Sequence, residues 1–170
     1  LSLNYDLKVD YVNLDANGMI DYNHLEKLLN NSSSKTLVSL MHVNNEIGNR
    51  IDIKQVADLC KKNNTLFHSD TVQSVGHYNL NLSEIPIDFA TVAAHKFHGP
   101  KGVGFAFIRK NSGLKPLIVG GQQERGLRAG TESVYAIAGL NKALQISYNN
   151  LDEESKYIKS IKNYFKDRLL

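Results

Sequence analysis

Lys96 is the residue of this sequence best placed to do chemistry. It follows an apolar run, Phe89-Ala90-Thr91-Val92-Ala93-Ala94, that reads as a strand buried on both faces. His95 intervenes, and Gly99, Pro100 and Gly102 then turn the chain into a second apolar strand, Val103 to Ile108. A lysine at the C-terminal mouth of a buried sheet stands where open α/β sheets place their ligands. Partial desolvation there favours the neutral amine, the form that attacks a carbonyl. Taken alone, a strand-end lysine is an ordinary exposed one, so the weight falls on its neighbours.

Three further stretches carry candidate groups. Asp70 ends the run Leu66-Phe67-His68-Ser69; by itself it reads as a cap on the turn Ser69 to Gln73, and Gln73 as an exposed glutamine. Asn44-Asn45-Glu46-Ile47-Gly48 is a polar cluster at another strand's end, where asparagines form turns and Gly48 serves close backbone approach. The loop G-G-Q-Q-E-R-G-L-R-A-G-T, ending at Thr131, could bind phosphate through its amides and the Thr131 hydroxyl at the start of a helix. A flexible surface loop is the plain alternative.

Taken together, these strings resemble one family. The segment A-A-H-K-F-H-G-P-K-G-V-G is similar to the lysine signature of class-V enzymes in the fold-type-I group that uses pyridoxal phosphate (PLP), and its wording lies nearest the cysteine desulfurases, including the nitrogenase-associated kind. The resemblance extends to V-N-N-E-I-G, to H-S-D-T-V-Q-S-V-G and to the glycine loop, from the Lys8 strand to the Asp152 helix. It implies that Lys96 holds PLP as a Schiff base, that Asp70 pairs with the ring nitrogen and that Gln73 meets the ring hydroxyl. It also implies that Asn45 contacts the cofactor hydroxyl or the substrate carboxylate, and that His95 lines the phosphate pocket. Thr131 is implied to reach the PLP phosphate of the neighbouring subunit in a homodimer. The arginines of that loop are implied to position and to make the interface.

The elements that must position these groups alternate. Lys8 to Leu14 alternates apolar and polar like a half-buried strand. Asp21 caps a helix over 22–30, Thr36 to Val43 is a strong strand, and Asp52 caps a helix from Ile53 to about Asn63. Thr65 to Ser69 is the next strand, and Val75 to Leu82 a loop. Pro116 to Val119 is a short extended piece; helices follow from near Glu132 to Tyr148 and from Asp152 to Leu170, the last more a connector than a core element. This order predicts an α/β fold, a mainly parallel sheet flanked by helices, matching the central part of the fold-type-I PLP-dependent transferase large domain. Residues 1–150 are assigned to that large domain and 151–170 to a helix leading to a C-terminal small domain outside this chain.

Composition narrows the function. The chain has 170 residues, 20 basic against 17 acidic and a net charge of +3, with no basic run, so no nucleic-acid partner is expected. No apolar run approaches membrane-spanning length and no secretory signal is visible, so no membrane partner is expected. A cytoplasmic location is expected; an organelle stays open, because a targeting region would precede Leu1. The start at Leu1 and the end inside a helical pattern suggest a piece of a longer protein. Cys60 lies on an apolar stripe with Ile53, Val56 and Ala57, which buries it and disqualifies it as a sulfur carrier. His24, His77 and His98 have no metal-ligand spacing, so no metal is expected; His42 and His68 read as satisfied core histidines.

The resemblance implies an enzyme that converts L-cysteine to L-alanine and passes sulfur to an enzyme cysteine outside this chain, then to a sulfur-acceptor or scaffold protein in iron–sulfur cluster assembly. Two alternatives stay open: another class-V PLP enzyme such as a selenocysteine lyase or kynureninase-like hydrolase, and a cofactor-free scaffold. The isolated segment is expected to be inactive. Ala93 departs from the pattern, since many relatives carry there a serine that binds the phosphate.

Overall fold

A computed structural model describes residues 7–169. Helix α1, Tyr22–Asn30, starts where the Asp21 side chain accepts a hydrogen bond from the His24 amide at 3.0 Å. Helix α2, Ile53–Lys62, starts in the same way at Asp52, which accepts from the Gln55 amide at 2.9 Å. Each cap satisfies an amide that the first turn leaves without a partner. Four strands follow the sequence order in space: β1 (Leu37–Met41), β2 (Leu66–Asp70), β3 (Phe89–Ala93) and β4 (Gly104–Ile108). β1, β2 and β3 are parallel, and β4 returns antiparallel to β3. Helix α3 spans Val134–Asn149 and α4 Leu151–Leu169.

The core lies on one face of the sheet. Val38, Phe67 and Ala90 point to that face from three strands and pack with Leu25 and Leu29 of α1 and with Ile53, Val56, Ala57 and Cys60 of α2. The stripe expected on α2 is therefore the buried one. Fully buried side chains such as Val56 and Phe67 each contribute ~1.5–3 kcal/mol relative to exposure. Farther along the same face, Val92 joins Val75, Ala94, Phe97 and Leu140 of α3 in a second cluster. The β2–β3 connection is pinned at its far end by Arg109, whose guanidinium donates to the carbonyls of Leu82, Ile85 and Ile87. Beside it, Asp88 accepts from the Phe67 amide at 2.8 Å.

Several expectations need correction. Lys8 to Leu14 is not a strand; Leu14 makes only an isolated bridge with Ile20, and Lys8, Val9, Asp10 and Tyr11 are exposed. Alternation marks one face for burial, but a strand also needs a backbone partner, and no described strand runs beside this segment. β3 is not buried on both faces: Ala90 and Val92 are buried while Phe89, Thr91 and Ala93 are half-buried, because both core clusters lie on one side. Pro116 to Val119 forms no strand and exposes Leu117 and Val119. Helix α3 starts at Val134, near the expected Glu132; α4 starts at Leu151 and buries none of its described residues, while Leu170 lies outside the described residues. No described helix is long and apolar enough to cross a membrane.

His42 is the buried histidine that sequence reading misjudged. It is 4% exposed, and among the described residues its Nδ1 has no hydrogen-bond partner. Burial, with Arg50 nearby, pushes its pKa down to about 4 against the opposing effect of Asp52. The folded chain therefore binds fewer protons at this site than the unfolded one between its ordinary value of ~6.5 and about 4. Stability from this group is fully present above the unfolded value and is lost as pH falls toward the folded one. His42→Leu should remove up to about 3 kcal/mol of that acid-side slope. Urea denaturation of both proteins between pH 7 and 4 checks it; parallel pH profiles would exclude His42 as the source.

Candidate active site

The three parallel strands end at one edge, and the candidate residues follow there. Register aligns Met41, Asp70 and Thr91. One further rung holds, with the His42 amide donating to the Asp70 carbonyl at 2.9 Å and the Thr71 amide to the Thr91 carbonyl at 3.0 Å. Beyond it the chains splay: β1 into a loop closed by the Val43–Arg50 bridge, β2 into the turns of 71–78, β3 into a 3-10 turn over Ala94–Phe97. Asn45, Asp70, Gln73, His95 and Lys96 are thereby gathered at one sheet edge, where open α/β sheets bind ligands.

Lys96 sits inside the 3-10 turn rather than at the strand end itself. Its neighbours Ala94 and Phe97 are fully buried, so the turn is anchored on both sides of the lysine. Phe97 rests on Gly76, where an added Cβ would come within 2.7 Å of the Phe97 Cβ. Gly76 also has φ +83°, a conformation side chains resist. From the other side, α3 brings Gly139 against Pro100, and the Ser147 hydroxyl donates to the Phe97 carbonyl at 3.5 Å. Lys96 is half-buried, and among the described residues no carboxylate lies within 4.0 Å of its Nζ.

Asp70 is half-buried. Its Oδ1 accepts from the Val72 amide at 2.9 Å, the turn-capping role expected of an isolated aspartate. Among the described residues no donor reaches Oδ2, so one carboxylate oxygen stays available. Gln73 is half-buried with no protein partner for its amide among the described residues. Asn45 is exposed and donates to Glu46 Oε1 at 2.7 Å; His95 is exposed. An unpaired amine that can attack an aldehyde, a carboxylate oxygen that can accept from a protonated ring nitrogen and an amide that can donate to a ring hydroxyl are the groups this edge offers a ligand. Beneath Asp70 on the same face, His68 is held between Ser39 Oγ at 2.8 Å and Thr91 Oγ1 at 3.5 Å. Burial lowers its pKa while Asp70 opposes, and it is the satisfied histidine that was expected.

Thr131 is not part of this cluster. It is exposed and makes no hydrogen bond to Asp70, Gln73 or Lys96 among the described residues. Helix α3 begins three positions later, at Val134 with no side-chain cap from Ser133, so Thr131 stands outside the helix's first turn. The loop satisfies some of its own polar groups: Arg128 donates to the Gly130 carbonyl at 2.8 Å and pairs with Glu124 at 3.2 Å. Gly48 needs a different reason from the one expected. Among the described residues nothing lies within 4 Å of a Cβ built there, and its φ of +71° is what calls for glycine. Sequence reasoning missed Thr71, whose buried hydroxyl donates to the Thr91 carbonyl at 2.9 Å, and gave His77 no role at the site; a threonine and a histidine in a loop carry no pattern to find them by. Among the described residues no cluster of His, Cys, Asp or Glu is placed to hold a metal.

Comparison with known proteins agrees with this fold. The chain is 40% identical over 158 residues to the cysteine desulfurase IscS of Dictyoglomus turgidum, covering 93% of this chain and 40% of that protein. Its fold matches a NifS-like protein from Rickettsia africae with a TM-score of 0.93 and 36% identity, over 99% of this chain and 47% of the other. It also matches SspA, solved in complex with cysteine, with a TM-score of 0.77 and 34% identity, over 81% of this chain and 40% of that one. The chain thus spans less than half the length of these relatives. The family described as Aminotransferase class-V, whose members depend on PLP, matches residues 1–170. With its mostly parallel sheet, its lysine turn and its close NifS-like and IscS relatives, this chain belongs to the aminotransferase class-V family.

Proposed function

We propose that this chain is the central, cofactor-bearing part of a PLP-dependent cysteine desulfurase. The observation that carries the reading is the placement of Asp70 at the end of β2 and of Lys96 in the turn just past the neighbouring β3, with the Lys96 amine and Asp70 Oδ2 both without a partner among the described residues. The names of the relatives support the substrate: IscS is called a cysteine desulfurase, and SspA was solved with cysteine. The net change is L-cysteine plus an enzyme thiol to L-alanine plus an enzyme persulfide, with the thiol on a cysteine outside this chain.

PLP, when bound, supplies an electron sink for the charge that develops on the substrate. Lys96 would hold the cofactor through Nζ and, once released, carry a proton to and from the substrate carbon. Asp70 would keep the ring nitrogen protonated through its free carboxylate oxygen. Gln73 would donate to the ring hydroxyl, Asn45 would meet the hydroxyl or the substrate carboxylate, and His95 would line the phosphate pocket. Ala93, which starts the lysine turn without any side-chain cap, offers the phosphate no hydroxyl. Thr131, exposed and outside the cluster, would serve the phosphate of a second subunit in a homodimer.

Borohydride reduction of the complete yellow protein, followed by peptide mapping, should label Lys96, and Lys96→Ala should abolish the absorbance. A label on another lysine would refute the assignment. Asp70→Ala should keep part of the bound PLP but slow turnover at least about 100-fold, the scale of a lost proton-holding group.

Shared sites make a further demand. Mixing inactive Lys96→Ala and Thr131→Ala subunits should restore some activity, since one site of each mixed dimer is intact. Tight PLP binding by a monomer in sedimentation would sink the shared-site arrangement.

Cys60 is 1% exposed on α2, and burial, helped by Asp88, pushes its thiol up to about 12. A thiol in that state neither reaches substrate nor ionises near neutrality. Cys60→Ala in the complete protein should retain most desulfurase activity, measured as alanine formed from cysteine. Loss of the reaction in a folded variant would make Cys60 the carrier.

A further inference from the structure

The loop that leaves Asp70 comes back to the lysine turn at one polar contact. His77 Nε2 lies 2.9 Å from the Lys96 carbonyl oxygen. A carbonyl can only accept, so the imidazole must donate from Nε2. The 3-10 turn ends at His98, which adopts a left-handed conformation with φ 65°, and the amides of His98 and Gly99 both return to the Ala94 carbonyl. Among the described residues no backbone amide donates to the Lys96 carbonyl, and His77 is the donor that satisfies it.

His77 is itself fixed. Its amide donates to the Ser74 carbonyl at 3.0 Å, and Ser74 Oγ donates to the Thr71 carbonyl at 3.1 Å. Thr71 is tied to β3 twice, through its amide and its hydroxyl, both donating to the Thr91 carbonyl. Between Ser74 and His77, Gly76 is pressed against Phe97. A continuous run of bonds thus leads from Thr71, next to Asp70, through Ser74 and His77 to Lys96. Packing of Phe97 sets where the turn sits. An apolar contact is not directional, whereas the hydrogen bond from His77 adds a directional hold on the Lys96 carbonyl.

We propose that His77 is a positioning residue that clamps the Lys96 peptide to the loop that follows Asp70 and bears Gln73, so that amine and carboxylate address one ligand at a fixed separation. The proposal rests on the reading of Lys96 as the PLP-holding lysine. It acts through the backbone, by the bond from the imidazole to the Lys96 carbonyl.

The test uses the complete protein with His77→Phe, which keeps a ring but removes the donor, and His77→Gln, whose amide nitrogen can reach the same carbonyl. Thermal melting followed by circular dichroism selects folded variants, and His77→Ala stands in if phenylalanine does not fit. Amide hydrogen exchange of residues 94–99 in the PLP-free protein reads the clamp directly. In the loaded protein, the rate of PLP release and the pH titration of the lysine-bound PLP absorbance read its effect on Lys96. Faster exchange and PLP release in His77→Phe, each by about tenfold, the scale of one lost hydrogen bond, with a displaced absorbance titration and a His77→Gln variant close to wild type, are the expected results. Equal behaviour of His77→Phe and wild type overturns the proposal, and so does equal impairment of the Phe and Gln variants, which would assign the effect to ring packing. If the wild-type protein takes no PLP on Lys96, the proposed function falls, while the exchange measurement still decides whether the clamp exists.

Discussion

Burial of Phe97 against Gly76 is the contact on which the candidate site depends. A lysine side chain is long, mobile and well solvated, and it cannot fix its own position. Here its position is inherited from the backbone between two fully buried neighbours, Ala94 and Phe97. The socket for Phe97 exists because position 76 has no Cβ and tolerates φ +83°. Helix α3 completes it with Leu140, and Gly139 lets Pro100 come close behind the turn. Three sequence-distant pieces, the loop after β2, the turn after β3 and α3, thereby meet at one aromatic ring.

The same edge shows what a binding site gives up in stability. Lys96 and Asp70 could have been arranged as an ion pair, which would have quenched both. Instead each is half-buried and unpaired among the described residues. Half exposure keeps such a choice tolerable, because water still reaches groups that would be costly if fully desolvated. The neighbouring His42 Nδ1 and Ser69 Oγ, both buried without partners among the described residues, add to the polar load near this edge. The compensation sits elsewhere, in the apolar cluster beneath α1 and α2 and in the Arg109 staple at the opposite end of the strands. Rigid scaffold and unsatisfied edge are separated along the strand axis.

The division of labour along the chain also explains why its single cysteine is inert. α2 has to cover Phe67 and Ala90, and small apolar residues fit that stripe. Cys60 is there as a small hydrophobe. A sulfur carrier has the opposite requirements, exposure and reach, and no position on α2's buried face can meet them.

Local signals made much of this legible in the sequence. Asp21 and Asp52 announced α1 and α2, because a side-chain oxygen three residues before an amide caps a helix whatever surrounds it. Apolar runs bounded by turn residues announced the four strands, and the strings around Lys96, Asp70 and Asn45 named the edge residues by resemblance. What failed were the properties that belong to neighbours. Lys8 to Leu14 has a strand's alternation but no strand to pair with, and β3 has a doubly buried strand's composition but one covered face. The reason for Gly48, the missing partner of His42 Nδ1 and the hydrogen bond from His77 to the Lys96 carbonyl are contacts, or absences of contact, between segments remote in sequence. Sequence alone determined which residues could react and which elements carry them, since capping, turn chemistry and periodicity act within a few residues. Tertiary structure decided which groups are left without a partner and what holds the lysine still, since burial and hydrogen-bond satisfaction depend on what the rest of the chain brings alongside.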